Sequence, residues 1–283
     1  MITQWRLLRN CAMIALLFIT TACETPAKKI YRDAQALGLS PSVLQGKPFV
    51  HAVFFNQYYR LENTDTLHVY IEGDGSPYSS PGIAAKDPTP QNPLTLRLMA
   101  KDSLPAIYLG RPCYFGFATT PPCSDLYWTS YRYGQEVIDS MVAALQGFLG
   151  KNHQKKIVFF GHSGGGTLAL LLAPYFKETK TVVTVGSNLD IDAWTVHHNY
   201  EPLAGSLNPS RRPPLSKSVF QLHMAGSRDA NVPPQIIHAE VLRQTNGEVA
   251  VVENFDHVCC WEKAWPDLLK KYGLSQEKTR ILR

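Results

Sequence analysis

The stretch that decides the fold is Lys156-Ile157-Val158-Phe159-Phe160-Gly161-His162-Ser163-Gly164-Gly165-Gly166-Thr167-Leu168-Ala169. Residues 157–160 form a β-branched and aromatic run, which is typical of a strand covered on both faces. Residues 161–165 fit the pattern G-x-S-x-G, in which a serine occupies a sharp turn between a strand and a helix. Glycine is needed there because a Cβ atom would collide with the neighbouring element as the chain reverses. The stretch therefore predicts a Ser163 hydroxyl raised above the end of a buried strand.

The rest of the chain alternates short apolar runs with helical patterns. This rhythm predicts an α/β fold with a mostly parallel sheet, helices on both faces and ligands bound at the carboxyl ends of the strands. The predicted strands are residues 49–59, 67–71, 106–109, 157–160, 181–185, 218–224 and 248–252, and the predicted helices are residues 30–39, 94–101, 130–149, 168–176 and 261–272.

Length and composition fit one large domain. The chain has 283 residues, of which 45% are hydrophobic, enough to bury an independent core. The formal net charge is +5 and falls to +3 without Arg6 and Arg9, which lie in a predicted leader. This charge is too small to indicate a nucleic-acid partner. The sequence does not indicate an oligomeric state.

The N-terminus predicts export. Residues 1–22 carry two arginines followed by an uncharged, mostly apolar run, which suits a signal peptide and is too short for a membrane span. The run ends in Thr20-Thr21-Ala22-Cys23, which resembles a bacterial lipobox with Cys23 as the lipidated first residue; a plain secretory signal cut near Ala22 is the alternative. We expect a lipid-anchored protein of the cell envelope that faces the periplasm, and Glu24 after the cysteine favours the outer membrane. Residues 23–48 are predicted to be a tether with a short helix, followed by one large domain at residues 49–283.

Export changes how the remaining cysteines are interpreted. Cys113 and Cys123 are expected to close a small disulfide loop in an oxidising compartment. Cys259 and Cys260 are adjacent, and could form a vicinal disulfide, stay reduced or exchange partners with the first pair. Sequence does not choose among these connectivities. Spaced Cys/His pairs typical of zinc sites are missing, so we expect no metal.

Two later segments strengthen the interpretation of the serine turn. Gly226-Ser227-Arg228-Asp229-Ala230-Asn231-Val232-Pro233 follows a predicted strand, and His257 follows the last one. Together with the serine turn, they resemble the α/β-hydrolase superfamily, in which the chain order is nucleophile, acid, base. The resemblance implies Ser163 as nucleophile, Asp229 as orienting acid and His257 as general base, with no cofactor. Asp190 and Asp192 are rival acids, because some members of the superfamily place the carboxylate after the preceding strand.

The resemblance also implies an oxyanion hole. One donor is the backbone N–H of Gly164, directly after the nucleophile. The second comes from Glu72-Gly73-Asp74-Gly75, where lipases of the superfamily have H-G-G-G; the Asp74 amide is expected to donate, with Gly75 as the alternative. Because a carboxylate in the hole would oppose catalysis, we expect the Asp74 side chain to turn away onto backbone N–H groups of its own loop. A plain Asp-Gly turn is the competing interpretation.

The substrate is less well defined. Residues 191–215 are predicted to be an irregular, cap-like insertion over the site. Aromatic residues near the predicted mouth suit a small-molecule acyl substrate, or they simply pack loops onto the core: Tyr78, Tyr114, Phe115, Phe117, Trp128, Trp194 and Tyr200. The sequence thus predicts a serine hydrolase of esters or related acyl bonds; a thioesterase, a peptidase or a non-catalytic binding scaffold are the alternatives.

Overall fold

An eight-stranded sheet forms the centre of residues 24–59, 65–150 and 155–275, which are the residues described by the computed structural model. In chain order the strands are β1 (Ser40–Gln45), β2 (Val50–Phe55), β3 (Thr66–Ile71), β4 (Tyr78–Ser80), β5 (Ile83–Ala84), β6 (Ala106–Leu109), β7 (Lys156–His162), β8 (Thr179–Val185), β9 (Phe220–Gly226) and β10 (Gly247–Val252). The helices are α1 (Pro26–Ala36), α2 (Leu94–Met99), α3 (Gln135–Leu149), α4 (Gly164–Leu172), α5 (Ile191–His198), α6 (Pro234–Val241) and α7 (Trp261–Lys271).

The strand order is β1-β2-β6-β3-β7-β8-β9-β10, and β4 pairs with β5 in a separate hairpin. β2 runs antiparallel to both β1 and β6, whereas β6, β3, β7, β8, β9 and β10 are parallel to one another. A mostly parallel sheet is stable only when helices cover both of its faces. The predicted α/β-hydrolase fold class is therefore confirmed.

Side-chain alternation along β3 shows how both faces are covered. Val69 and Ile71 belong to one apolar core, which includes residues of α3 and α4, while Tyr70 points into a second core with residues of α1, α2 and α7. Successive side chains of a strand point to opposite faces, so a strand buried on both sides has to be continuously apolar. This explains why the central strands were visible as apolar runs in the sequence.

Among the strands and helices, β1, β4, β5, α5 and α6 were not predicted. α5 begins the segment 191–215, which was expected to be irregular; the helix forms there because Asp190 caps its first turn. β1 lies within residues 23–48, so the sheet begins before the expected boundary at residue 49; Pro41 and mostly exposed side chains conceal this edge strand. α6 begins with Pro234 and buries Ile237 and Val241 on one face. The helix after the serine turn begins and ends earlier than predicted: it starts at Gly164 and ends at Leu172, and Pro174 follows in a 3-10 turn.

Both cysteine pairs form disulfides. Cys113 is joined to Cys123, and Cys259 is joined to its neighbour Cys260. The predicted leader and the lipidation site Cys23 lie outside the described residues.

Candidate active site

The serine turn has the geometry that its glycines predict. Ser163 links β7 to α4 with φ 52° and ψ −126°, a strained conformation for a residue with a side chain. A Cβ atom on Gly161 would collide with the backbone of Gly165, and one on Gly165 with the carbonyl oxygen of Ile71. The turn therefore depends on glycine, and it leaves Ser163 half-buried at the carboxyl end of the strand.

Asp229 and His257 meet beyond the ends of β9 and β10. The Nδ1–H of His257 donates a hydrogen bond of 2.9 Å to Oδ2 of Asp229, whose side chain is fully buried. The other carboxylate oxygen accepts the backbone N–H groups of Asn231 and Val232 at 2.9 and 2.8 Å. These hydrogen bonds fix the Asp229 side chain, which in turn sets the tautomer of the imidazole that faces the site.

The rival acids do not contact this histidine. Asp190 caps the N-terminus of α5 by accepting the N–H groups of Asp192 and Ala193. Asp192 pairs with Arg211 and accepts a hydrogen bond from Asn208. Both carboxylates therefore have structural partners on the segment after β8.

Burial lowers the pKa of His257 below its ordinary value of 6.5, and the nearby His162 adds to this effect, while Asp229 opposes it. The His162 ring lies 4.7 Å from the His257 ring, and its Nε2–H donates to the backbone carbonyl of His257 at 2.8 Å. A lowered pKa keeps His257 neutral near pH 7, which is the form that can accept a proton.

The Nε2 atom of His257 lies 2.9 Å from the side-chain nitrogen of Asn231. Within the described ranges, Ser163 and His257 are not joined by a hydrogen bond in this state, although both line the same cavity. Sequence reasoning did not assign a role to Asn231. Its position two residues after Asp229 could have indicated a role, because the same turn then supplies partners for both ring nitrogens of His257.

The Glu72–Gly75 loop runs beside the nucleophile. A Cβ atom on Gly73 would lie 3.2 Å from Cβ of Ser163, so only glycine allows this approach without displacing the serine. Gly75 has φ +66°, and a side chain there would collide with the carbonyl oxygen of Pro88. Among the described atoms, the N–H groups of Asp74 and Gly164 have no acceptor in the protein.

The Asp74 side chain takes a different course from the one expected. Its carboxylate accepts hydrogen bonds from Arg111 (2.6 Å), Arg132 (2.8 Å) and the Tyr133 hydroxyl (2.7 Å), instead of backbone N–H groups of its own loop. Burial alone would raise the pKa of Asp74, but the two guanidinium groups outweigh it and hold the pKa well below the usual range. The prediction of backbone partners was wrong because the arginines come from elements distant in sequence.

The same cluster holds the backbone of the loop. Nη1 of Arg111 donates to the Gly73 carbonyl at 3.2 Å, and the Tyr114 hydroxyl donates to the Asp74 carbonyl at 2.9 Å. These contacts fix the peptide on each side of Asp74. We refer to Asp74, Arg111, Arg132, Tyr114 and Tyr133 as the loop clamp.

A cavity of about 1000 Å³ opens above these residues and is lined by Ser163, His257, Asn231 and Arg132. Of the aromatic residues expected near the mouth, Tyr78, Trp194 and Tyr200 line the cavity. The others pack loops onto the core: Tyr114, Phe115, Phe117 and Trp128. The segment after β8 includes α5 and lines one wall.

The described ranges contain no cluster of three or more His, Cys, Asp or Glu residues arranged to bind a metal. His197 and His198 approach the backbone carbonyl oxygens of Ala230 and Asn231 instead. These two contacts join α5 to the turn that carries Asp229.

The comparisons with known proteins agree with this architecture. Residues 115–193 match the family described as Lipase (class 3). The structure is similar to that of a membrane phospholipase A described as a bacterial virulence factor, with a TM-score of 0.56, 14% identity and 95% of each chain covered. It is also similar to Est1E from Butyrivibrio proteoclasticus (TM-score 0.55, 11% identity, 83% of this chain and 97% of that one covered). An esterase from Pyrococcus furiosus gives a TM-score of 0.57 at 13% identity, with 84% of this chain and 93% of that one covered.

No curated protein matches the chain in sequence. At identities this low, the structural likeness establishes the fold and leaves the chemistry to be argued from the site.

Proposed function

We propose that this chain, a member of the α/β-hydrolase superfamily, hydrolyses carboxylic esters through a serine-bound acyl intermediate. The observation that carries the proposal is the Asp229–His257 hydrogen bond of 2.9 Å on the same cavity as the strained Ser163. A serine hydroxyl is a weak nucleophile until a base accepts its proton, and the base needs a third group to hold its tautomer. These side chains supply that set.

In the proposed reaction, Oγ of Ser163 attacks the carbonyl carbon while its proton passes to Nε2 of His257. The carbonyl π electrons move onto oxygen, and the resulting oxyanion accepts hydrogen bonds from the N–H groups of Gly164 and Asp74. Collapse restores the carbonyl, breaks the bond to the leaving oxygen and delivers the Nε2 proton to it. Water then attacks the acyl-serine by the same sequence, releasing the acid and regenerating Ser163. Asp229 stabilises the imidazolium in both halves.

The acidic loop is compatible with this role because other residues of the loop clamp bind the carboxylate of Asp74. Two buried guanidinium groups and a tyrosine hydroxyl take up its oxygens, while its N–H lacks a partner among the described residues. A preorganised donor contributes most when it needs no rearrangement during the reaction. Removal of one such donor commonly costs about 10²–10³ in kcat.

The cavity suggests the kind of substrate. Tyr78, Trp194, Tyr200 and Leu203 give it apolar walls that suit an acyl chain or an aromatic ester. A thioester or peptide would meet the same catalytic groups, so ester hydrolysis is proposed on the shape and polarity of the cavity. A panel of p-nitrophenyl esters of graded acyl length would define the preferred substrate.

A fluorophosphonate probe tests the mechanism directly. We expect stoichiometric labelling of the wild type and none in Ser163→Ala, whereas Ser79→Ala on the β4–β5 hairpin serves as a matched control and should label normally. Failure of the wild type to label would instead favour a non-catalytic scaffold built on this fold.

We also propose that the protein is anchored at the cell envelope through Cys23. The support is the residue pattern before Cys23, together with two disulfides in the described part of the chain, which persist in oxidising compartments. No helix among the described residues is long and apolar enough to cross a membrane. Metabolic labelling with radioactive palmitate should mark the wild type and not Cys23→Ser. In membrane fractionation the wild type should be found with the membranes and Cys23→Ser should not. Labelling of both proteins would contradict the assignment.

A further inference from the structure

Asn231 contacts both members of the acid–base pair. Its backbone N–H donates to Oδ1 of Asp229 at 2.9 Å, and its side-chain nitrogen lies 2.9 Å from Nε2 of His257. The residue is half-buried, and it lines the cavity. One turn after β9 therefore holds the imidazole at Nδ1 through Asp229 and at Nε2 through Asn231.

The direction of the second hydrogen bond follows from the first. The carboxylate of Asp229 accepts at Oδ1 from two backbone N–H groups and faces Nδ1 of His257 with Oδ2, so Nδ1 carries the proton of that hydrogen bond. In the neutral ring the remaining nitrogen, Nε2, then has a lone pair and accepts from the amide NH₂ of Asn231. A protonated ring would present an N–H to the same NH₂ group, and that contact would be lost. The arrangement thus favours the neutral ring.

We propose that Asn231 is a positioning residue that holds the Nε2 lone pair of His257 toward the cavity and selects the neutral, proton-accepting form of the base. The inference rests on the proposed function, because the residue acts through His257. Ser163 must replace the Asn231 amide at Nε2 before its own proton can move. Asn231 is thus a resting partner that the substrate-bound serine displaces.

Other charged groups near the ring are unchanged by a substitution at residue 231. Asp229 faces Nδ1, Asp256 precedes His257 in its own loop, and the His162 ring packs at 4.7 Å. Glu72 lies 3.6 Å from the far side of His162. A change in the titration of His257 in a folded variant that adds no charge at residue 231 therefore reports the lost amide contact.

The decisive experiment is the pH dependence of the fluorophosphonate labelling rate for the wild type, Asn231→Leu and Asn231→Asp. In Asn231→Leu the neutral ring loses a hydrogen-bond donor. The pKa of His257, read from the fall of the labelling rate at acid pH, should therefore rise by about 0.5–1 unit. Asn231→Asp should raise it at least as far, because a carboxylate stabilises the imidazolium. Gln91→Leu, at another amide on the cavity rim, is the matched control and should leave the pKa unchanged. A role in packing alone would change the labelling rate without moving this pKa.

A second readout does not depend on catalysis. The Hε1 proton of His257, assigned by its absence in His257→Gln, can be titrated by NMR in the same variants, and it should show the same rise. A folded Asn231→Leu whose His257 pKa stays within about 0.2 unit of wild type overturns the inference. If Asn231→Leu does not fold, Asn231→Ala, which also removes the amide without adding a charge, decides in its place; the carboxylate of Asn231→Asp raises the pKa whether or not the amide contact matters. A wild type that binds no probe would overturn the proposed function, while the NMR titration would still decide the role of Asn231.

Discussion

Asp74→Asn is the most informative perturbation of the loop clamp. The wild-type carboxylate lies between the side chains of Arg111 and Arg132, which are only 2% and 5% exposed. Asparagine keeps the shape of the side chain but removes its charge, and it places an NH₂ group against at least one guanidinium. Two buried positive charges then lose their shared counter-ion.

The expected cost follows from that burial. Breaking a buried ion pair by removing one partner typically costs about 3–5 kcal/mol, because an uncompensated charge remains. For a domain of this size each kcal/mol lowers Tm by roughly 2–4 °C, so we expect a fall of about 6–20 °C. The pKa of Asp74 is depressed, so its contribution is fully present above the unfolded value of 3.8 and is lost as pH falls below it. The loss on substitution should therefore be constant from about pH 5 to 8.

Calorimetry of Asp74→Asn across that pH range is the assay. Asp139→Asn, an exposed carboxylate on α3, is the matched control and should change stability by no more than about 0.5 kcal/mol. Adding Arg132→Met to Asp74→Asn removes one of the two stranded charges and should recover part of the loss, which a double-mutant cycle measures. The reasoning is refuted if Asp74→Asn melts within the range of the Asp139→Asn control.

Other predictions address the acid–base pair and the buried histidines. Asp229→Asn should lower kcat/KM for a p-nitrophenyl ester by about 10³–10⁴, while Asp190→Asn, at a helix cap, should leave it nearly unchanged; the reverse result would identify Asp190 as the acid. Gly186→Ala places a Cβ atom 2.8 Å from Oδ2 of Asp229 at φ +51°, so both kcat/KM and Tm should fall, and an unchanged kcat/KM would mean that the pair tolerates displacement. The acid limb of the wild-type kcat/KM profile should lie below pH 6.5, since burial lowers the pKa of His257 and only the neutral ring is a base; a limb above 6.5 would contradict this. Burial also lowers the pKa of His51 to about 4, so between pH 6.5 and 4 only the unfolded state binds a proton at this residue. The free energy of unfolding, measured in urea, should therefore fall by up to about 1.4 kcal/mol for each pH unit as the pH is lowered through that range. If the dependence of this free energy on pH is the same in His51→Gln, His51 is not its origin.

The sequence was most informative about structure that depends on local patterns. The central strands were visible because parallel strands buried on both faces must be apolar throughout. β6 was predicted with the bounds that it has, and the ends of β7, β8 and β9 were displaced by no more than a few residues. β1 was hidden because an edge strand packs little apolar surface and tolerates proline.

The site divides in the same way. Ser163 directly follows β7, and Asp229 and His257 lie in the loops after β9 and β10; the carboxyl ends of parallel strands meet at one edge of the sheet. The loop clamp could not be predicted because Arg111 and Arg132 lie 37 and 58 residues from Asp74. An ion pair at that separation leaves no periodic signal in the sequence, and it forms only when the fold brings the elements together.

The two acids of the Glu72–Gly75 loop show how this loop can hold carboxyl groups beside the proposed oxyanion site. Glu72 is buried and accepts hydrogen bonds from the backbone N–H and hydroxyl of Thr95 at 2.9 and 2.8 Å. Arg111 and Arg132 balance the charge of Asp74. Arg111 and Tyr114 also bind the carbonyl oxygens of Gly73 and Asp74. Each carboxylate is thus held by its own donors away from the Asp74 N–H. Because a guanidinium on the Gly73 carbonyl polarises the same peptide unit, it also makes the Asp74 N–H a stronger donor. The arginines and tyrosines around Asp74 therefore provide rigidity and polarisation, while Gly73 provides the close approach to Ser163.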